Sequence, residues 1–342
     1  MTALERFLDS LKGRLISGTP CVPLIFGYAA ALCKVKLSDY LQKGELLAYC
    51  QLEAQKQFGT DAVFAYADNS VESEALGSRI CFPENDYPYI TDYAWGDHEN
   101  WTSRPLPDAQ KDGRMPQLLE AVKIMRSTVG DTTTVVGGVL GPMSIAGQVM
   151  GLDKLIYLLV DEPDKFARAI DYTAHISLSY GQALLNAGAH VLMLLEPTAS
   201  QNIIPQNVFV QYITPRIRYI FSGCKSAGAL ACWLVITGQT KGLLPYYKGC
   251  GADLATIDYE VPLKNALNAA PDLSLAGNIK PYNFVEHSQE ELYDQAKKLI
   301  SEAGHNRRFL LSSGCELPLN AKPENVEAMV RAARGGLNGA NR

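Results

Sequence analysis

Short apolar runs recur along the chain at 22–26, 62–67, 134–139, 190–195, 229–236, 253–257, 273–276 and 309–312. They are apolar at successive positions rather than alternate ones, the pattern of strands buried on both faces of a parallel sheet. Between them lie segments of helical periodicity with clear start and stop signals. Pro163 opens a long one, and Gly188 stands where its C-terminal cap belongs. Ser288 and Glu291 form a capping-box pattern ahead of a helix that stops at Gly304, and Pro323 opens a last helix that meets Gly335. Ser38 is expected to cap a single helix running to Gly59, and an N-terminal amphipathic helix gathers Leu4, Phe7, Leu8, Leu11 and Leu15 on one side. Eight strands alternating with helices predict an α/β chain, a (β/α)₈ TIM barrel forming one domain over 1–342. The competing arrangement is an open doubly wound sheet, but no G-x-G-x-x-G follows an early strand.

One stretch breaks the rhythm. Residues 69–113 are rich in Pro, Asp, Tyr, Trp and Gly, and no apolar period runs through them. An insertion after the second expected strand lies at the C-terminal ends of the strands, the end where barrel enzymes build their sites. No linker, repeat or low-complexity tract divides the rest.

Composition narrows the class. In 342 residues, 47% are hydrophobic and 20% charged, which excludes disorder and coiled coil as the main architecture. The 31 Lys and Arg against 36 Asp and Glu give a net charge of −5 with no basic block, so nucleic acid is not an expected partner. Glu5 and Asp9 interrupt the N-terminal segment, which is therefore not read as a signal peptide. No apolar run reaches the length of about 18 residues that a membrane span needs. A cytoplasmic location is expected. The eight cysteines contain no CxxC pair and are read mostly as small buried hydrophobes.

In a parallel barrel the reacting groups follow the strand C-termini. Those positions hold Tyr28 after the first strand, Tyr66, Asp68 and Asn69 after the second, and Met143 after the third. Glu196 follows the fourth, Val235 and Thr237 the fifth, Asp258 the sixth, Asn278 the seventh, and Cys315 with Glu316 the eighth. Asp68, Glu196 and Asp258 thus put three carboxylates at one mouth, where mutual proximity and burial raise proton affinity and make a general acid available near neutrality. Glu196 is favoured as the acid because it emerges from the apolar run VLMLL; Asp258 is the other candidate, with Asp68 or Tyr28 in support. Tyr28, Tyr66, Trp233 and the aromatics of the insertion are candidates to line a pocket for a flat ligand, together with Asn69, Met143, Val235, Thr237 and Asn278. The histidines show no H-x-x-H, H-E-x-x-H or H-x-C spacing.

Four separated segments then resemble one family. DNSVESEALGSRICFPENDYP (68–88), GPMSIAGQVMG (141–151), GNIKPYNF (277–284) and LLSSGCELPLNAKPENVEAMVRAAR (310–334) are similar, in order and spacing, to motifs of the uroporphyrinogen decarboxylase superfamily in its corrinoid-dependent methyltransferase branch. The resemblance covers roughly residues 10–335. It implies a TIM barrel and methyl transfer with a cobalamin carried by a partner corrinoid protein. True decarboxylases of the superfamily carry an arginine-rich N-terminal segment that grips substrate carboxylates. Here no arginine lies between Arg14 and Arg79, so a polycarboxylate porphyrinogen is disfavoured.

The branch's methylcobalamin:coenzyme M methyltransferases hold a zinc with H-x-C-G on the fifth strand and a cysteine on the eighth. Here Val235 and Thr237 occupy the first two positions and only Cys315 remains, with Asp258 where a carboxylate can approach the metal. Valine cannot ligate zinc and a threonine hydroxyl ligates it poorly. The resemblance therefore implies no tightly bound cofactor in this chain and leaves the zinc, and with it a thiol acceptor, in question. The remaining role in the branch is the substrate-side methyltransferase, which demethylates a small donor and passes the methyl group to the partner's Co(I). A methoxylated aromatic is the expected donor, with methylamines, methylated thiols and betaines open. A methylcobalamin:thiol methyltransferase and a decarboxylase-like lyase are the alternatives, and a homodimer is left open.

Overall fold

The computed structural model describes residues 1–96 and 104–335. Seven parallel strands form one sheet in the order β1 (Ala62–Ala65), β4 (Thr134–Leu140), β5 (Val191–Leu195), β6 (Ala231–Val235), β7 (Leu254–Thr256), β8 (Ser274–Ile279), β9 (Phe309–Ser313). A separate antiparallel hairpin joins β2 (Arg79–Cys81) to β3 (Tyr89–Asp92). Every residue of the seven barrel strands is buried, as their unbroken apolar runs require. Helices Met115–Val129, Pro163–Ala187, Thr214–Ser226, Gln289–Ala303 and Pro323–Ala333 alternate with the strands. The architecture is the expected α/β, TIM-barrel-like one.

The first expected strand, 22–26, does not form, and prolines give the reason. Pro20 and Pro23 have no N–H, so only Cys21 and Val22 can donate between them. Cys21 makes a single parallel bridge to Leu311; the Val22 amide donates to the Leu311 carbonyl (2.9 Å), and the Asp61 amide donates to the Cys21 carbonyl (2.9 Å). Serine hydroxyls replace the missing ladder. Ser312 Oγ donates to the Val22 carbonyl (2.7 Å), and Ser313 Oγ accepts from the Leu24 amide (3.1 Å). Residues 20–24 thus bridge β9 to the foot of β1 and complete the ring.

The N-terminal helix, Ala3–Leu11, sits at the strand N-termini. Phe7 is fully buried and meets Trp233 at a centroid distance of 6.2 Å, and Leu4 donates to the Thr132 carbonyl just ahead of β4. The helix ends at Leu11 with Gly13 in the left-handed region (φ 68°), so Leu15 lies outside it and is exposed, contrary to the expected pattern. Buried Asp61 pairs with Arg6 (2.7 Å) and Arg334 (2.9 Å), tying both chain ends to the barrel floor.

The caps at Gly188, Ser288 and Gly304 stand as expected. The single helix expected from Ser38 is two, Leu37–Gln42 and Gly44–Phe58, with Lys36 rather than Ser38 at the first N-terminus. The break falls where Gly44 abuts the Gln117 backbone so closely that a Cβ would collide with it.

The 69–113 insertion contains helix Val71–Ala75 and the hairpin, and its residues 97–103 lie outside the described set. It lies at the strand C-termini. Tyr87 donates to Glu316 just past β9, the buried Trp95 donates its amide to the Val149 carbonyl (2.8 Å), and Tyr172 donates to the Pro105 carbonyl (3.1 Å). Among the described residues no single helix is long and apolar enough to cross a membrane.

Candidate active site

Because all seven barrel strands are parallel, the residues that follow them share one face. Asp68, Glu196 and Asp258 therefore do stand on the same side of the barrel, but each is held by different partners.

Glu196 is fully buried at the end of β5, with its carboxylate in the N-terminus of helix Pro142–Met150. It accepts from the amides of Met143 (3.0 Å) and Ser144 (2.7 Å), from Ser144 Oγ (2.5 Å) and from Thr198 Oγ1 (3.2 Å). Gly141 permits this approach, since a Cβ there would collide with the carboxyl group. Burial pushes the Glu196 pKa up to about 7, against the pull of these donors. Glu196 thus caps a helix as well as carrying a neutral-range proton affinity.

Asp68 is tied down by a residue that the sequence pattern did not point to. Arg114, just after the insertion, donates to both of its oxygens (2.6 and 3.2 Å), and the Ser70 amide and hydroxyl donate as well. Arg114 also reaches Glu74 (2.6 Å), the Leu41 carbonyl (3.1 Å) and Ser70 Oγ (2.8 Å), so all five of its N–H donors are engaged, and it lies over the Phe82 ring. Asp258 accepts the Gly238 amide (2.7 Å) and the Glu260 amide (2.9 Å). Asn278 donates to the carbonyls of Asp258 (3.0 Å) and Val261 (2.7 Å), holding the same loop.

Other expected site residues divide. Tyr66 donates to the exposed Asn69, and its ring lies 4.8 Å from that of Phe26. Met143 is buried at the helix start below Ser144, Val235 is buried with its carbonyl accepting from the Glu196 amide (2.9 Å), and Thr237 is half-buried. Two placements need correction. Tyr28 belongs to helix Tyr28–Leu32 and stacks on Phe58, with Glu324 and Glu327 of the last helix as its charged neighbours; helix packing, not the mouth, takes its ring. Trp233 is fully buried between Phe7 and Phe64, with its indole N–H on Thr256 Oγ1 (2.9 Å), so it is core toward the barrel floor.

Two further carboxyls lie at the mouth. Glu72, from the insertion's first helix, is buried and accepts the Leu140 amide (2.8 Å) at the end of β4; burial pushes its pKa up to about 7. Glu316 follows Cys315 and is half-buried as a residue, but its carboxyl end is tucked between the Gly27 amide (3.2 Å) and the Tyr87 hydroxyl. Desolvation there, opposed by the Gly27 amide and helped by the charge of nearby Asp68, raises its pKa to about 8. The sequence signal for Glu316 was its place directly after a strand-end Gly-Cys pair; Glu72 and Tyr87 had none beyond belonging to the insertion.

A cavity of about 380 Å³ opens beside this cluster, between the insertion and helix Pro142–Met150. Asn69, Tyr89, Tyr93, Gln148, Ser144 and Thr198 are among its lining residues, so two of the donors to Glu196 face it.

The zinc of the coenzyme M branch does not fit these residues. The described residues include no group of three His, Cys, Asp or Glu side chains placed to hold a metal ion. Val235 offers only methyl groups, and burial, followed by the charge of Asp258, raises the Cys315 pKa and so disfavours the thiolate a zinc needs.

A stability prediction follows from the three raised glutamates. Each binds its proton more tightly in the folded chain than at the ordinary value of 4.5. Their stabilisation is complete below about pH 4.5 and is lost as pH rises through 7 to 8. Calorimetry at constant ionic strength should show these groups lowering Tm between about pH 5 and pH 8 and adding nothing above, with a shallower fall in the Glu72→Gln/Glu316→Gln double variant. An unchanged slope would count against the assignment.

Comparison with known proteins agrees with the fold. A methyltransferase structure from Methanosarcina mazei superposes with a TM-score of 0.89 at 23% identity, covering 99% of this chain and 100% of that one. The methylcobamide:CoM methyltransferase MtaA of Methanosarcina barkeri is 25% identical over 338 residues, 97% of each chain. The methylated-thiol–coenzyme M methyltransferase of Methanosarcina mazei is 25% identical over 342 residues, 98% of this chain and 89% of that one. The uroporphyrinogen decarboxylase (URO-D) family model matches residues 2–336, and the chain belongs to that family.

Proposed function

We propose that the chain is a corrinoid-dependent methyltransferase that moves a methyl group between a corrinoid protein and a small thiol, acting as one barrel domain over 1–342 in a cytoplasmic setting. Full-length relatives named for methyl transfer to coenzyme M support this reading. The observation that carries it is Glu316, a carboxyl at the barrel mouth held by the Gly27 amide and by Tyr87 of the insertion, where desolvation raises its pKa to about 8. The partner's corrinoid supplies the cobalt that gives or takes the methyl group. A thiol that accepts a methyl group must release its proton, and a base serves best when its pKa is close to that of the thiol, roughly 8.5. With no fitting zinc site, Glu316 takes that proton. The Tyr87 hydroxyl and the Gly27 amide hold its carboxyl in place.

A second reading is favoured by the incomplete zinc donor set and by the cavity walled by Tyr89 and Tyr93. In it the chain demethylates a methoxylated aromatic and delivers the methyl group to the partner's Co(I). The departing phenolate then needs a proton, and Glu316 or Glu196, each with a pKa raised toward neutrality by burial, supplies it.

The test uses two mixtures: the chain with methylated corrinoid protein and a panel of small thiols, and the chain with reduced corrinoid protein and aryl methyl ethers. Turnover in the first only supports the thiol reading, and turnover in the second only supports demethylation. Turnover in neither would remove corrinoid-dependent transfer both to thiols and from aryl methyl ethers.

A further inference from the structure

Away from the mouth, two cysteines meet on adjacent helices. Cys33 caps helix Tyr28–Leu32, and Cys50 lies within helix Gly44–Phe58. Cys33 Sγ donates to the Cys50 carbonyl oxygen (4.0 Å), and the two side chains are near enough that each shifts the other's ionisation. Access is unequal: Cys50 is fully buried, whereas Cys33 is half-buried and lines an open groove of about 380 Å³ with Tyr49, Glu53, Lys56 and Gln57. No disulfide is present, and the methyl-transfer reading uses neither residue.

We propose that Cys33 and Cys50 form a thiol–disulfide exchange site, in which Cys33 reacts with a small disulfide entering the groove and Cys50 completes an intramolecular bond. In the first step the Cys33 thiolate attacks one sulfur of RS–SR. A Cys33–SR bond forms, the RS–SR bond breaks, and the released RS⁻ takes up the proton that Cys33 gave up. In the second step Cys50 sulfur attacks Cys33 sulfur and expels the other RS⁻, which takes the Cys50 proton. Two protein thiols and one RS–SR become one protein disulfide and two RSH, so the electrons removed from the protein reduce the small disulfide.

The division of roles follows from the geometry. Cys33 faces the groove and Cys50 does not, so only Cys33 can meet an entering disulfide; the neighbouring Cys50 side chain also lowers the Cys33 pKa, against burial and the charge of Glu53. The buried sulfur is already beside it as the resolving thiol. Cys224 and Cys232 are also close neighbours, but both are buried, and burial holds both in the thiol form. Cys81 and Cys315 are half-buried, but no cysteine is among the groups that shift the ionisation of Cys315, and the partner of Cys81 is the Tyr89 side chain. The cross-link would tie the helix that begins beside Gly27, a donor to Glu316, to helix Gly44–Phe58.

The test is peptide mapping of the full-length protein. Reduced protein is incubated with oxidised glutathione under native conditions, alkylated and digested. The Cys33 and Cys50 peptides should be recovered joined, with Cys21, Cys224, Cys232 and Cys250 alkylated. Cys50→Ser should hold a glutathione adduct at Cys33, and Cys33→Ser should leave Cys50 reduced. Recovery of Cys33 as the alkylated thiol in the wild type would overturn the proposal. So would a persistent Cys33 adduct without the internal bond, or modification of Cys50 in Cys33→Ser. Should either variant fail to fold, the wild-type map still decides between joined and unjoined peptides.

Discussion

Replacing Glu316 by glutamine is expected to lower methyl transfer by roughly 10²-fold or more while leaving the fold intact. Glutamine keeps an acceptor oxygen for the Gly27 amide and the Tyr87 hydroxyl, so the link between β9, the segment after Phe26 and the insertion survives. What is lost is a group that titrates near pH 8. The direction of the pH dependence identifies the reaction. If Glu316 takes a proton from a thiol, it acts in the deprotonated form, and kcat/KM of the wild type rises as pH passes through about 8. If it gives a proton to a phenolate, it acts in the protonated form, and kcat/KM falls over the same range. In Glu316→Gln the part of the profile that belongs to this group should vanish. A variant with the full wild-type rate and an unaltered profile would rule Glu316 out as the proton carrier and return attention to Glu196. That residue already serves four hydrogen-bond donors, so its replacement disturbs the start of helix Pro142–Met150 as well as any proton transfer.

How far the sequence could be read depended on how local each signal was. The strands of the barrel announce themselves because a strand buried on both faces must be apolar at every position, as in VLMLL of β5. The Pro163 start, the Gly188 end and the Ser288 to Glu291 box are equally local, since a cap needs only its own three or four residues. The missing first strand had a local cause too, in Pro20 and Pro23, but the apolar run between Val22 and Phe26 masked it. The site fared differently, because proton affinity and pairing come from groups far apart in the chain. The strand-end position of Asp68 carries no sign of Arg114, 46 residues later, which neutralises it. Glu316 owes its position to Tyr87, 229 residues earlier. Tyr28 and Trp233 stand in strand or strand-end positions by sequence, yet an aromatic side chain serves core and pocket equally well, and only the neighbours Phe58, Phe7 and Phe64 decide.

Arg114→Met should destabilise the protein by about 3–5 kcal/mol, the usual cost of removing one partner from a buried ion pair. Both Arg114 and Asp68 are about 5% exposed, so the carboxylate left behind can be rescued by water only if the structure opens. Methionine still covers the Phe82 ring but cannot donate to Asp68, Ser70, Glu74 or the Leu41 carbonyl. The damage should be local in a particular way. Arg114 stands just after the insertion, while Asp68, Ser70 and Glu74 stand at its beginning, so this one side chain fastens the two ends together. Its loss should loosen the hairpin that carries Tyr87, and methyl transfer should fall along with stability. Urea unfolding gives the first quantity, and hydrogen exchange over 71–92 gives the second, with protection lost there while the β5 and β6 amides keep theirs. Asp68→Asn in the same chain removes the stranded charge and should restore part of the stability. If the double variant is no more stable than Arg114→Met, the arginine acts through packing on Phe82 and the Leu41 carbonyl rather than through its charge on Asp68.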